Sequence, residues 1–165
     1  MAPNIILVTG VSGVGKTTLC RLLKKIFPNI RHIVASSYID STRDIDQLAL
    51  ARRIHSVALA YNSSSLVDGH LITGGGKVPR EAVVALAPKA IVVVIGDPRD
   101  IVARRAADDD RARPVLDEDK IACAQDAELE WARELAQTIG IPLIVADGGD
   151  DQGLQSEILH LLEDC

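Results

Sequence analysis

The 165 residues are 47% hydrophobic and 25% charged, the balance of a globular chain of one domain, which excludes wholesale disorder. The formal net charge of −5 argues against a protein whose main task is neutralising nucleic-acid phosphates, because that work needs clustered Lys and Arg. The longest apolar run in a strand-like context, Ala90 to Ile95, is far short of the roughly 20 residues of a membrane-spanning helix.

Met1 to Asn4 carries no charged leader and Ile5 to Val8 is too short for a signal core, so a cytoplasmic protein is expected. Ile5 to Val8 is the first predicted strand. The helix after it places Leu19, Leu22, Leu23 and Ile26 on one face. A second strand, Ile33-Val34-Ala35, ends in Ser36-Ser37, and a helix is expected from about Arg43 to Tyr61. Leu66-Val67 is the third strand, ending at Asp68-Gly69, and Gly74-Gly75-Gly76 marks a flexible turn. Pro79 opens a short helix to Leu86. Ala90 to Ile95 is apolar throughout, as in a strand covered on both faces. Asp97-Pro98 reads as N-cap and first residue of the next helix. A polar stretch from Ala107 to Asp117 precedes a long helix with Ile121, Ala124, Trp131, Ala132, Leu135 and Ile139 inward. Leu143-Ile144-Val145 is the last strand, and Leu154, Ile158, Leu161 and Leu162 stripe a final helix.

Strands alternating with helices predict an α/β fold: a five-stranded parallel sheet in a three-layer αβα arrangement, all within one domain of residues 1–165. Ligands then bind beyond the carboxyl ends of the strands. There the sequence carries Gly10-Val11-Ser12-Gly13-Val14-Gly15-Lys16-Thr17, a full match to G-x-x-x-x-G-K-[ST], the Walker A phosphate loop, with a strand before it and a helix after it. Glycines let the backbone curl its N–H groups around phosphate oxygens, and the helix N-terminus favours the same anion. Lys16 is placed to reach the β- and γ-phosphates and the Thr17 hydroxyl to ligate Mg²⁺. The expected ligand is therefore a nucleoside triphosphate.

Asp68 at the end of the third strand is a candidate for the metal side of that site. The alternative is an ordinary Asp-Gly turn; His70 beside it reads more readily as a structural hydrogen bonder. Arg104, Arg105, Arg111 and Arg113 crowd a segment that also holds Asp108, Asp109 and Asp110. Some of these charges fit a solvated helix face, through pairs four residues apart such as Arg104 with Asp108. The functional reading is a lid, residues 104–118, that lays guanidiniums against the transferring phosphoryl group. The cysteines Cys20, Cys123 and Cys165 are far apart and show no C-x-x-C spacing, which argues against a disulfide framework or a zinc knuckle.

Taken in order, "ILVTGVSGVGKTT", "LVDGHLIT" and "IVVVIGDPRDIVARRAADDDRAR" resemble the nucleoside monophosphate kinase group of P-loop NTPase folds, nearest in pattern to the archaeal-type adenylate kinases. The resemblance implies ATP with Mg²⁺ on Gly10, Ser12, Gly13, Val14, Gly15, Lys16, Thr17 and Thr18. It implies Asp68 near the metal and the acceptor phosphate, Arg105 with Arg111 or Arg113 on the transferring phosphate, and Arg104 and the loop Asp147-Gly148 on the nucleotide. The acceptor-side region, about 36–62, departs from the family by being compact, with Arg43, Arg52 and Arg53 as its candidate phosphate binders and Ser36, Ser37 and Tyr38 as candidate acceptor contacts. The expected activity is transfer of the γ-phosphoryl of Mg·ATP to a nucleoside monophosphate. Alternatives are a kinase of another small metabolite, or a nucleotide-dependent switch or ATPase. No Asn-Lys-x-Asp guanine-reading motif occurs. The expected partners are ATP and a small acceptor, with no nucleic acid and no membrane, for a monomer or homodimer.

Overall fold

The computed structural model describes residues 3–40, 44–108, 116–147 and 152–163. Among them, strands β1 (Ile5–Thr9), β2 (Arg31–Val34), β3 (Ser65–Asp68), β6 (Ala90–Ile95) and β7 (Leu143–Asp147) form one parallel sheet in the order β2-β3-β1-β6-β7. Helices α1 (Lys16–Ile26), α2 (Gln47–Tyr61), α3 (Arg80–Leu86), α4 (Pro98–Ala107), α5 (Glu118–Ile139) and α6 (Gln152–Glu163) fill the connections. Because β1 is central and β3 and β6 flank it, Val8 stands level with Asp68 on one side and Val92 on the other. The loop leaving β1 therefore emerges between two strand ends that also carry informative residues.

Alternation along the strands builds two cores. Ile6 and Val8 face Leu19 and Leu23 of α1 and Ile158 of α6, while Ile5 and Leu7 face Ile54 and Ala58 of α2 and Leu135 of α5. Both faces of β1 and β6 are covered, which is why those strands read as unbroken apolar runs. The helix starts follow their capping chemistry: Asp46 accepts from the amide of Ala49 at 2.9 Å, Asp97 from Arg99 at 2.8 Å and Asp117 from Lys120 at 2.8 Å.

Several boundaries differ from the sequence expectation. α2 begins at Gln47 rather than near Arg43, because Asp44 holds a positive φ of 46° and Asp46 is the cap. Ala35 is not the end of β2 but the start of a 3₁₀ turn through Tyr38. The Gly74–Gly76 turn is the tip of an antiparallel hairpin, β4 (Ile72–Thr73) and β5 (Gly76–Lys77), in which Thr73 faces Gly76. Trp131 is only partly buried. Its indole Nε1 donates to the Val78 carbonyl at 3.1 Å and the Lys77 ammonium lies 4.5 Å from its ring centre, so it clamps the hairpin to α5. Residues 109–115 of the expected 104–118 lid, with Arg111 and Arg113, lie outside the described residues, as do Arg43 and Gly148. No described helix is long and apolar enough to cross a membrane.

Candidate functional site

The bend between β1 and α1 owes its shape to glycine. Gly10 has a φ of +147°, and a Cβ built there would stand 2.5 Å from the backbone oxygen of Val94 on the neighbouring β6, so no side chain fits. Gly13 and Gly15 hold φ values of 88° and 113°, a region where L-residues pay a steric penalty. α1 starts directly after this bend with no side-chain cap and no acidic residue in its first turn. Its leading amides and the positive end of its dipole are thus left to an external anion. Lys16 is buried, and its Nζ donates back to the carbonyls of Gly10 at 2.9 Å and Val11 at 3.1 Å. The charge is held within the loop.

At the strand ends beside it, Thr17 Oγ1 donates to Asp68 Oδ2 at 2.7 Å, and His32 Nε2 lies 3.2 Å from the same oxygen. Asp68 is 6% exposed. Burial pushes its carboxyl upward, but the bonds from His32 and Thr17 and the Lys16 charge outweigh it and hold the pKa below the ordinary carboxylate value. Thr17 and Asp68 offer a hydroxyl and an ionised carboxylate within one hydrogen bond of each other. Hard oxygen donors beside a phosphate loop fit Mg²⁺, which prefers oxygen ligands shared with phosphates.

Both features open into a single cavity of about 660 Å³. One half is lined by Ser12, Gly13, Gly15, Lys16, Thr17 and Thr18; the other by Ile39, Leu50, Ala51, Ile54, Val83 and Leu86, among others, with Asp68 and Gly69 between. α2 supplies the apolar wall from its first two turns, through Leu50, Ala51 and Ile54, and α3 through Ala82, Val83 and Leu86.

The candidate residues distribute unevenly. Ser12, Gly13, Gly15, Lys16, Thr17, Thr18, Asp68 and Arg104 converge on this cavity, and Val14 joins through its carbonyl, which accepts from Arg104 Nη1 at 3.1 Å. Arg104 thereby ties α4 to the phosphate loop. Asp108, at the C-cap of α4, also lines the cavity, while Arg105 is half-buried in the last turn of α4. On the acceptor side Ser36 lines the cavity. Arg53 instead pairs with Asp40 at 2.7 Å and lies over the Tyr38 ring, and Arg52 points to solvent from α2. Asp147 ends β7 and lines a different cavity, with Gln125, Asp126 and Asp97. His70 is partly open to solvent and lines the main cavity; desolvation of its ring, then the Lys16 charge, holds its pKa below the ordinary 6.5.

Two functional-looking residues escape sequence reading. His32 reaches Asp68 from the edge strand, a contact set by β2 lying beside β3. Glu128 on α5 is 2% exposed and accepts from the amides of Leu71 at 2.8 Å and Ile72 at 3.0 Å and from the Thr9 hydroxyl. It fastens the segment after Asp68 to the residue before Gly10. Its sequence signal was available: Glu128 stands on the inward face of α5, between Ala124 and Trp131.

No family model matches the chain. An adenylate kinase of Thermococcus kodakarensis is 29% identical over 187 aligned positions, covering 98% of this chain and 94% of the relative. An adenylate kinase of Pyrococcus abyssi is 26% identical over 186 positions, with 96% and 93% covered. Both alignments are longer than the chain, so this chain is the gapped, more compact partner. Among solved structures, a sugar kinase from Janibacter sp. superposes with a TM-score of 0.61 at 17% identity, covering 98% of this chain and 95% of that one. The YorR protein of Bacillus subtilis, solved with phosphorylated GDP, does so with 0.62 at 17%, covering 97% and 96%. The fold is that of the P-loop kinases. The expected resemblance to the archaeal adenylate kinases holds over nearly the whole chain, and the enzyme class is that of a phosphotransferase.

Proposed function

We propose that this P-loop kinase, a homologue of the archaeal adenylate kinases, moves the γ-phosphoryl group of Mg·ATP to a nucleoside monophosphate. One observation carries the reading. A single cavity joins the phosphate loop and the Thr17–Asp68 pair to a pocket walled by α2 and α3, so donor and acceptor meet with no intervening wall.

Phosphoryl transfer asks little covalent chemistry of a protein and much positioning and charge stabilisation. The loop amides and the α1 N-terminus hold the polyphosphate. Lys16 leaves the carbonyls of Gly10 and Val11 for the β- and γ-phosphate oxygens, trading two neutral acceptors for charged ones. Thr17 and Asp68 hold Mg²⁺, which supplies charge neutralisation across the phosphate oxygens when bound. Arg104 already touches the loop at Val14 and keeps the start of the lid beside the site. Arg105, Arg111 and Arg113 then serve the transferring group, and closure of that segment excludes water that would otherwise consume ATP. Asp147 and Gly148 are the candidate contacts for the base of ATP.

The second reading, a small metabolite other than a nucleotide as acceptor, is favoured by a specific feature of the pocket. Among its described residues, the wall formed by 34–45, α2 and α3 places no lysine or arginine on the cavity. The experiment that separates the two is an ADP-release screen with Mg·ATP against all nucleoside monophosphates and a panel of small hydroxylated and phosphorylated metabolites. Release that rises only with a nucleoside monophosphate supports the first reading; release that rises only with a metabolite supports the second. Steady hydrolysis with no acceptor, unchanged by any, overturns both in favour of a switch or ATPase.

A further inference from the structure

Behind the Thr17–Asp68 pair lies a group of side chains with a different chemistry. Cys20 of α1, His32 of β2 and Asp68 of β3 bring one ligand atom each within 4.8 Å of one another. Cys20 follows Lys16 by one helical turn and is fully buried, and His32 and Asp68 are the side chains of neighbouring strands directed at the same face of α1. The donors are a sulfur, an imidazole nitrogen and a carboxylate oxygen. Magnesium has no use for the first two, whereas zinc takes all three.

We propose that Cys20, His32 and Asp68 form a binding site for Zn²⁺ or a similar thiophilic divalent ion, and that its occupation switches the kinase off. The inhibitory half of this statement rests on the phosphotransfer reading of Asp68; the binding half does not. Geometry supports the site. Tetrahedral zinc, with bonds of about 2.0–2.3 Å, separates its ligands by roughly 3.3–3.7 Å. His32 Nε2 and Asp68 Oδ2 already stand 3.2 Å apart, so the ion replaces a shared hydrogen bond. The sulfur stands within 4.8 Å of both, and Asp68 lines the main cavity while His32 is partly buried, so an ion reaches the group past the Asp68 carboxylate.

The consequence for the kinase follows from one oxygen. Asp68 Oδ2 accepts from Thr17 Oγ1 and is also the oxygen nearest His32. An ion bound there takes the carboxylate from the Thr17 side, where it would hold Mg²⁺. On binding, His32 gives up the Nε2 proton it shares with Asp68 and carries its ring proton on Nδ1, the Cys20 S–H bond breaks with its proton going to solvent, and nitrogen–metal and sulfur–metal bonds form. Burial, then the nearby Asp68 charge, pushes the Cys20 thiol well above its ordinary range, so the ion displaces a tightly held proton.

The test uses the full chain and Co²⁺ as the spectroscopic probe, then Zn²⁺ as competitor. One equivalent of Co²⁺ is expected to produce a thiolate-to-cobalt charge-transfer band with the visible bands of a tetrahedral site, and Zn²⁺ to bleach them. Cys20→Ser is expected to lose the band, and Cys123→Ser to keep it. Micromolar Zn²⁺ is expected to inhibit phosphoryl transfer at fixed Mg·ATP, with the Cys20→Ser enzyme at least about tenfold less sensitive. No thiolate band in the wild-type protein, or a band that survives in Cys20→Ser, overturns the site whatever the variant's stability. A band without inhibition of a working kinase leaves the metal site standing and overturns the switch. If no acceptor supports transfer at all, the spectra still decide the site, and the failure belongs to the functional reading.

Discussion

The two halves of the cavity are made by different means. The phosphate half is backbone: a bend in which Gly10, Gly13 and Gly15 take positive φ values, followed by an uncapped helix start. The acceptor half is side chain: apolar residues of α2 and α3, separated by more than twenty residues in sequence, closing over the end of β3. Backbone geometry recognises something every triphosphate shares. Apolar side chains recognise shape, and shape changes with a single substitution. On the proposed reading, the half that holds the polyphosphate is therefore rigid and generic, and the half that takes the acceptor is adjustable.

That contrast can be broken most severely at Lys16. Lys16→Ala is expected to lower turnover by roughly a thousandfold or more with the fold intact, since its Nζ is held by the Gly10 and Val11 carbonyls at the cavity; single-turnover kinetics and a thermal melt check both parts. Gly10→Ala attacks the backbone itself. Its methyl would meet the Val94 carbonyl oxygen at 2.5 Å, and a loss of about 3 kcal/mol of stability together with ATP binding is expected in urea unfolding and calorimetry. Glu128→Ala removes the strut between the halves. The buried Leu71 amide, the half-buried Ile72 amide and the Thr9 hydroxyl lose their acceptor, at an expected cost of about 2–3 kcal/mol, with faster amide exchange at Leu71 and Ile72 as its local signature.

Ala51→Phe sharpens the comparison from the other side. Ala51 lines only the acceptor half, so KM for the acceptor is expected to rise about tenfold, equivalent to about 1.4 kcal/mol, while KM for ATP stays put. Equal rises in both would mean that the halves are not separable. The smallest effect is a pH dependence. His70 has a folded pKa below its ordinary 6.5, so the unfolded chain takes up the proton first as pH falls. Its share of stability is complete above about pH 6.5 and is lost as pH falls through the folded value. His70→Asn is expected to flatten that part of the curve of unfolding midpoint against pH.

Reading the chain from its sequence works where the physics is local. The phosphate loop is contiguous, and each of its fixed residues serves its own stretch of backbone. The Asp97 and Asp117 helix starts are equally local, because a cap bonds two or three residues ahead. Asp68 is legible for a further reason: it terminates a short apolar strand, and strand ends in such sheets face the ligand. Less was visible where an element depends on a distant partner. Gly74–Gly76 reads as a loose turn, yet the hairpin is held by Glu128 at one end and Trp131 at the other, both from α5. Arg53, a candidate phosphate binder by its charge, is engaged by Asp40 and Tyr38. Asp147 ends β7 and lines the cavity beside Gln125 and Asp126 of α5, neighbours that only the packing of α5 supplies.

The amino-acid order by itself determined the α/β alternation and the position of the glycine-rich bend between β1 and α1. Those properties depend on dihedral preferences and on periodicities of two and 3.6 residues, which neighbouring residues impose on one another. Only the tertiary structure decided that His32 and Cys20 meet Asp68, that Glu128 ties the bend to the hairpin, and that α2 and α3 share one pocket. The physical reason is that the sheet permutes the chain. With β3 between β2 and β1, residues 36 positions apart become hydrogen-bonded neighbours, and no spacing along the chain records that adjacency.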